Sequence, residues 1–376
     1  MIIAVNTRLL QKNNLEGIGR FTFETLKRMV LYHPEVDFIF CFDRKFDASF
    51  IFAPNVKPLI IYPQARHPVL YYLWFEYALP KALKKYKVDV LLSPDGFIPL
   101  KSNLKTLSVI HDIVFEHTEN DVRWLTQKYY KYYFPKFAKN ANRIATVSSF
   151  SKKDLIKTYG IDESKIDIVY NGVSDVFKPL SLPEKELMKM KITNGKPYFV
   201  YTGSIHPRKN IITLLKAFEA LKKQHQLQHQ LVLVGRKAWK NKELNNFLSQ
   251  MQFKNEVIFT GTIIDEELSK VLASADVAVY PSTFEGFGLP VIEAFACGVP
   301  IMTSKNTAME EIAKGAAHLF NPLDDNELKN LLFNLITHPY QAEEKIKLGF
   351  KVAQSYTWDK VAEELWTSLI KTTTTC

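Results

Sequence analysis

Short apolar runs alternate along this chain with longer stretches in which apolar residues recur every three or four positions. Residues 2–5 (Ile-Ile-Ala-Val) are apolar without interruption, which predicts a strand buried on both faces. Phe21, Phe23, Leu26, Met29 and Val30 follow at helical spacing. Further strands are predicted at 36–42, 57–62, 88–93, 106–110, 144–148 and 166–170, with helices over 69–87, 123–143 and 152–159. Pro80 interrupts the first of these three helices. The opening order returns at 198–201: a strand, the turn Thr202-Gly203-Ser204, then a helix over 210–222. Strands at 231–234, 257–259 and 276–280 continue the alternation with helices at 241–251, 265–274 and 290–297. Such alternation implies parallel sheets wound on both faces.

Residues 171–196 hold Gly172, Pro179, Pro183 and Gly195 among several charges and read as a connection between domains. In the last stretch Trp358, Val361, Ala362, Leu365, Trp366 and Leu369 predict a helix over 356–371, with a frayed tail behind it. The expected organisation is an α/β chain of two Rossmann-like domains facing each other across a cleft, a favoured place for a ligand. The first domain spans 1–170, the linker 171–196, the second domain 197–355, and 356–376 is a C-terminal helix.

The totals narrow the class. A length of 376 residues with 47% apolar and 23% charged positions suits two soluble cores. The apolar run 69–75 stops at Glu76, and residues 1–10 lack the order of a signal peptide, so a cytoplasmic location is expected. Cys41, Cys297 and Cys376 are scattered without metal or disulfide spacing, and no Asp-x-Asp occurs; no metal site is expected. Of the net charge of +10, residues 1–170 supply +8, with 25 Lys and Arg against 17 Asp and Glu. That excess fits an anionic membrane surface, a phosphate-bearing acceptor or plain solubility. The bases form no single dense tract, which argues against a nucleic-acid binder. Within 123–143, Lys128, Lys131, Lys136 and Lys139 interleave with Tyr129, Tyr130, Tyr132, Tyr133, Phe134 and Phe137. Such a helix either rests on a membrane or buries its rings in the core and solvates its lysines.

Candidate chemistry concentrates at 282–300, STFEGFGLPVIEAFACGVP. Strand, glycine-bearing loop and helix start follow in order, which aims free N–H groups and a helix dipole at one spot suited to an anion. Gly286 and Gly288 allow close approach to the backbone. Glu293, read in the first turn of the helix, can accept from ligand hydroxyls, and Glu285 stands before the loop; the plain alternative is a βα turn with a favourable acidic residue. A second cluster, His206-Pro207-Arg208-Lys209-Asn210, follows a strand and opens a helix. Adjacent cations there oppose the dipole, and a bound diphosphate would resolve the conflict; a solvated pair is the alternative. His111 ends a strand and is either a structural histidine or part of a site.

Gly17-Ile18-Gly19-Arg20, His111-Asp112, Val147-Ser148-Ser149-Phe150-Ser151, YTGSIHPRKN (201–210) and EGFGLPVIE (285–293) together resemble family-4 retaining glycosyltransferases of the GT-B fold. The Glu-x7-Glu segment is the specific part, and the likeness covers nearly the whole chain. The resemblance implies that Glu293 holds the nucleotide ribose and Glu285 the donor-sugar hydroxyls. Phe287, Gly288 and Leu289 would offer backbone amides beside Gly286, with Gly203 and Ser204 also on the donor. Arg208 and Lys209 would neutralise the diphosphate leaving group, and His111 would touch the sugar. Gly17, Ile18 and Gly19 would approach the diphosphate and acceptor, and the final helix would pack on the first domain. The implied reaction needs no cofactor and no metal. A nucleotide-diphosphate sugar is the co-substrate, and a glycan or lipid-linked glycan is the acceptor. Ser204 stands where many relatives have arginine, Ile18 where others have a second glycine, and Val271-Leu272 where a Leu-Tyr pair is frequent. The GSIHPRKN style, with Gly235 and Trp239 in a later loop, is most similar to bacterial mannosyl- and related hexosyltransferases of surface-polysaccharide assembly, which implies GDP-mannose and a peripheral place on the inner membrane face. A nucleotide-sugar epimerase or a phosphorylase-like enzyme on the same architecture is the alternative.

Overall fold

The computed structural model describes residues 1–12, 15, 17–118, 123–236 and 242–374. The chain divides into two compact units, Met1–Gly172 with Trp358–Cys376, and Val173–Thr357.

In the first unit, seven parallel strands lie in the order β3-β2-β1-β4-β5-β6-β7: β1 Ile2–Asn6, β2 Asp37–Phe42, β3 Val56–Ile60, β4 Val90–Ser93, β5 Lys105–Val109, β6 Arg143–Thr146 and β7 Ile166–Ile168. Their period-two alternation splits the core in two. Ile3, Val5, Phe38, Phe40 and Phe42 face one side, with helix Ile18–Tyr32 and the last helix, Trp358–Thr374. Ala4, Ile39 and Cys41 face the other, with the aromatic helices of the unit. Burial on both faces is why these strands read as unbroken apolar runs. β3 is the exception: it is an edge strand, and Lys57 and Pro58 blunt it against further pairing.

The second unit holds six parallel strands in the order β10-β9-β8-β11-β12-β13: β8 Tyr198–Thr202, β9 Gln230–Val234, β10 Val257–Gly261, β11 Val277–Tyr280, β12 Ile301–Ser304 and β13 His318–Phe320. In both sheets the winding direction reverses between two central strands, β1/β4 and β8/β11. Outside the carboxyl ends of such a pair is where open α/β sheets hold ligands.

Four features depart from the sequence reading. The helix expected over 69–87 is three pieces, Pro68–Leu73, a wide π-turn Trp74–Ala78, and Leu79–Lys84. Pro80 has no N–H to give and its ring crowds the carbonyl four residues back, so the turn before it widens. The supposed linker contains helix Leu182–Thr193, started by a capping box between Ser181 and Glu184. Residues 301–354, passed over in the sequence, hold two strands and three helices; β13 has three residues and helix Ala308–Ala313 has six, too short to show a period. Ile18 and Gly19 belong to the first turn of helix Ile18–Tyr32, with Gly17 as its N-cap, so the expected loop ends at Gly17.

The last helix is integral to the first unit. Arg28 Nε donates to Asp359 at 2.9 Å and His33 stacks on Trp366 with ring centres 3.6 Å apart. Leu365 is fully buried in the core below. Leu365→Ala should therefore destabilise the first unit by roughly 2–5 kcal/mol, read as a lowered thermal midpoint; an unchanged midpoint would separate this helix from the core.

Candidate functional site

In the second unit the chain leaves β8 through Gly203 and Ser204 and makes a 3-10 turn, Pro207–Lys209, before helix Ile211–His225. Gly203 sits at φ +132, and the loop after β9 approaches so closely that a side chain at Gly235 would meet the Gly203 carbonyl oxygen at 2.0 Å. The approach of the two loops therefore requires glycine at 235, while the positive φ favours it at 203. The chain leaves β11 through Ser282 and Thr283. Thr283 donates to the Arg208 carbonyl with its amide at 2.9 Å and its hydroxyl at 3.1 Å. Asn210 joins the same junction by donating to the carbonyls of Pro281 and Pro322.

The cations of the 208–209 pair meet a carboxylate of their own chain. Lys209 Nζ lies 2.5 Å and Arg208 Nη1 3.0 Å from Glu285 Oε1. Ser282 Oγ donates to the same oxygen at 2.5 Å, and the Tyr280 hydroxyl at 3.2 Å. Lys209 also donates to the Tyr280 hydroxyl at 2.6 Å. Burial disfavours ionisation of Glu285, but Lys209 and Arg208 outweigh it and hold its pKa down at about 2. The sequence reading gives the cations an external anion or solvent as partner. In the folded chain Glu285 is a resident counter-ion to both. Every contact described for Glu285 converges on Oε1.

Beyond Glu285 the backbone turns through Gly286 and Phe287 to Gly288, the N-cap of helix Leu289–Ala296, at φ +99. A Cβ at Gly288 would stand 2.6 Å from Met309 Cγ, so both conformation and space require glycine there. Phe287 is buried edge-on against Tyr356, 5.6 Å between ring centres. The helix starts one residue before Pro290, which moves Glu293 from the expected first turn to the second; it is partly buried. Leu289 is the first helical residue. An open cavity of about 330 Å³ lies beside these loops, lined by Thr283, Lys305, Asn306, Thr307 and 321–323; neither glutamate lines it.

In the first unit His111 follows β5. Its Nε2 donates to the Pro94 carbonyl at 3.0 Å and its ring meets the edge of Phe21 at 4.9 Å. Phe21 lies in the second turn of the helix that Gly17 caps, so His111 and residues 17–19 share one end of this sheet. Burial lowers the His111 pKa to about 4, so the imidazole is neutral at pH 7. At the same end, buried Arg8 pairs with Asp95 at 2.6 Å and faces the rings of Tyr71, Phe75 and Phe97.

The sequence reading missed Tyr280, Tyr201, Ser282 and the Arg8–Asp95 pair. Tyr280 and Tyr201 were absorbed into apolar strands; their place at the carboxyl ends of the two central strands was the available signal. Trp239 lies outside the described residues. Among the described residues no cluster of three or more His, Cys, Asp or Glu is arranged to hold a metal ion.

Two family models match and between them span most of the chain: Glycosyltransferase Family 4 over residues 15–176 and Glycosyl transferases group 1 over 184–349. The chain is 27% identical to the O-antigen chain mannosyltransferase B of Escherichia coli over 93% of its own length and 94% of the relative's. It is 26% identical to the O-antigen chain mannosyltransferase RfbU of Salmonella typhimurium, covering 80% and 82%. The fold matches that of sucrose-phosphate synthase from Thermosynechococcus elongatus with a TM-score of 0.79 at 19% identity, over 98% of each chain. Two Rossmann-like units of parallel sheet, a Glu-x7-Glu loop at the end of β11 and matches running through both halves lead to one conclusion: the chain belongs to the family-4, group-1 glycosyltransferases of GT-B fold.

Proposed function

We propose that this glycosyltransferase moves mannose from GDP-mannose to a glycan or lipid-linked glycan acceptor in bacterial polysaccharide synthesis, with retention of configuration. Mannose is supported by the two relatives matched over most of their length, both O-antigen mannosyltransferases by name. The observation that carries the mechanism is the fixed Glu285 carboxylate, held through Oε1 by two cations and two hydroxyls. In this reading Oε2 accepts from a donor-sugar hydroxyl and Glu293 accepts from the ribose. The amides of Phe287, Gly288 and Leu289, with Gly286, Gly203 and Ser204 alongside, receive the sugar and phosphates. Breaking the glycosyl–phosphate bond puts negative charge on the diphosphate, and Arg208 and Lys209, fixed beside Glu285, are already in place to stabilise it. In the first unit His111 contacts the sugar as a neutral imidazole, and Gly17, Ile18 and Gly19 approach the diphosphate and acceptor. No cofactor or metal takes part in this scheme.

The first unit also presents a surface suited to anionic lipid. Trp124, Leu125 and Tyr132 are exposed on helix Trp124–Asn140, whereas Phe134 and Phe137 fill the core, as the core reading of this helix expects of part of its rings. Lys128 Nζ lies 4.0 Å from the Trp124 ring centre and Lys136 Nζ 3.4 Å from that of Tyr132. Rings with cations stacked on them match an interface of headgroups and acyl chains. No helix among the described residues is long and apolar enough to cross a membrane.

Glu285→Gln should lower kcat at least about 100-fold while GDP still raises the thermal midpoint above other nucleoside diphosphates. Full transfer by this variant would remove Glu285 from the mechanism, and a stronger response to UDP would replace the donor. For His111 the folded pKa of about 4 lies below the ordinary 6.5, so the unfolded chain takes up the proton first. The stability its neutral form supplies is complete above pH 6.5 and is lost as pH falls toward 4. His111→Gln should cut the acid-induced loss of stability over that window by on the order of 2 kcal/mol; identical pH–stability curves would contradict the buried neutral imidazole. Vesicles containing phosphatidylglycerol should co-sediment the protein at low salt and neutral vesicles should not, with Trp124→Ala and Tyr132→Ala together weakening the binding severalfold. Equal binding to both vesicle types would sink the lipid surface.

A further inference from the structure

We propose that Tyr280 is a positioning residue for the transfer reaction, its hydroxyl holding Glu285 and Lys209 in one geometry. This rests on the role given above to Glu285.

Tyr280 lies between opposite charges. Its hydroxyl accepts from Lys209 Nζ at 2.6 Å and donates to Glu285 Oε1 at 3.2 Å. A phenol has one proton to donate and lone pairs to accept with, so it can serve both partners at once. Burial raises the pKa of Tyr280 well above that of a free phenol, and nearby Glu285 adds to the effect, so the proton stays in place. The terminal torsion of a glutamate is broad and roughly two-fold. Which oxygen faces outward is therefore set by what binds the inner one. The three N–H groups of Lys209 would otherwise draw the carboxylate along with any movement of the lysine.

The ring is itself held. It stacks on Tyr201 with centres 5.7 Å apart and planes 17° from parallel, and Lys209 Nζ lies 5.1 Å from its centre. Thr303 Oγ1 donates to the Tyr280 carbonyl at 3.0 Å, and the Tyr201 hydroxyl donates to the Ser204 carbonyl at 3.0 Å. The aromatic pair thus ties β8, β11 and β12 to the turn that carries Arg208 and Lys209. Tyr198, in the same sheet, shows how a structural tyrosine behaves: it is fully buried, donates to the Val271 backbone carbonyl at 2.5 Å, and has the neutral hydroxyl of Ser274 beside it. The described partners of the Tyr280 hydroxyl are both charged groups of the candidate site.

The test compares Tyr280→Phe with Tyr198→Phe and Glu285→Gln in one steady-state assay with thermal melts. Each tyrosine variant loses one buried oxygen and keeps its ring. Y280F should lose about 10- to 100-fold in kcat, the range for a neutral group's hydrogen bond to a charged one, with donor KM within about threefold and a midpoint close to that of Y198F. Y198F should keep its kcat. A Y280F enzyme with undiminished kcat beside an inactive E285Q overturns the inference and leaves the Glu285 mechanism standing. Activity retained in E285Q removes that mechanism and this inference with it. A Y280F chain that does not fold beside a folded Y198F assigns Tyr280 to stability and also overturns the proposal.

Discussion

A carboxylate taken out of water must be matched by positive charge and hydrogen bonds, or it takes up a proton. Glu285 is 7% exposed and remains ionised because two cations and two hydroxyls meet one of its oxygens. Removing one partner from such a group is costly, typically ~3–5 kcal/mol, so the loops that supply the partners are held with it. Lys209 and Arg208 come from the turn after β8; Tyr280 and Ser282 come from the end of β11. The interaction therefore fastens the two central strands of the second sheet at the point where the winding reverses. The local loop geometry here is a by-product of satisfying a buried charge.

The same arrangement sets two cations and a carboxylate beside loops whose glycines leave the backbone open to close approach. Preorganised charge of this kind needs no rearrangement when a leaving group becomes more negative. The overall charge of the chain is a poor guide to it. Residues 1–170 hold most of the net +10, whereas Arg208 and Lys209 lie in the nearly balanced half. Global charge bears on association with large anionic surfaces; charges fixed at one loop bear only on what lies against that loop.

Much of the architecture was legible because parallel strands buried on both faces write themselves as apolar runs, as Ile2–Asn6 and Gln230–Val234 do. The Glu-x7-Glu loop was legible because its glycines and its Pro290 have few other uses at the start of a helix. Three kinds of feature were not. Short elements such as His318–Phe320 fall below the length at which a period shows. Capping by Ser181 and Glu184 turned a Pro-bearing charged stretch into a helix, because local hydrogen bonds outweighed composition. Pairings between distant residues, Lys209 with Glu285 or Arg8 with Asp95, exist only once strands are adjacent.

Tyr201 and Tyr280 show the last limit most sharply. In residue type each is one more aromatic of a hydrophobic strand, like Tyr198 three positions before the first, and only its place at the strand's carboxyl end sets it apart. In the sheet, Tyr198 lies near the start of β8 and bonds to a carbonyl, whereas Tyr280 lies at the carboxyl end of β11 and bonds to two charges. Position along a parallel strand, more than residue type, separates a tyrosine that fills a core from one that reaches a site. In a parallel sheet all carboxyl ends point the same way, so any polar tip placed there joins its neighbours' tips at one edge. The chemistry available to this fold is thus set by the last residue or two of each central strand and the first few of the loop behind it.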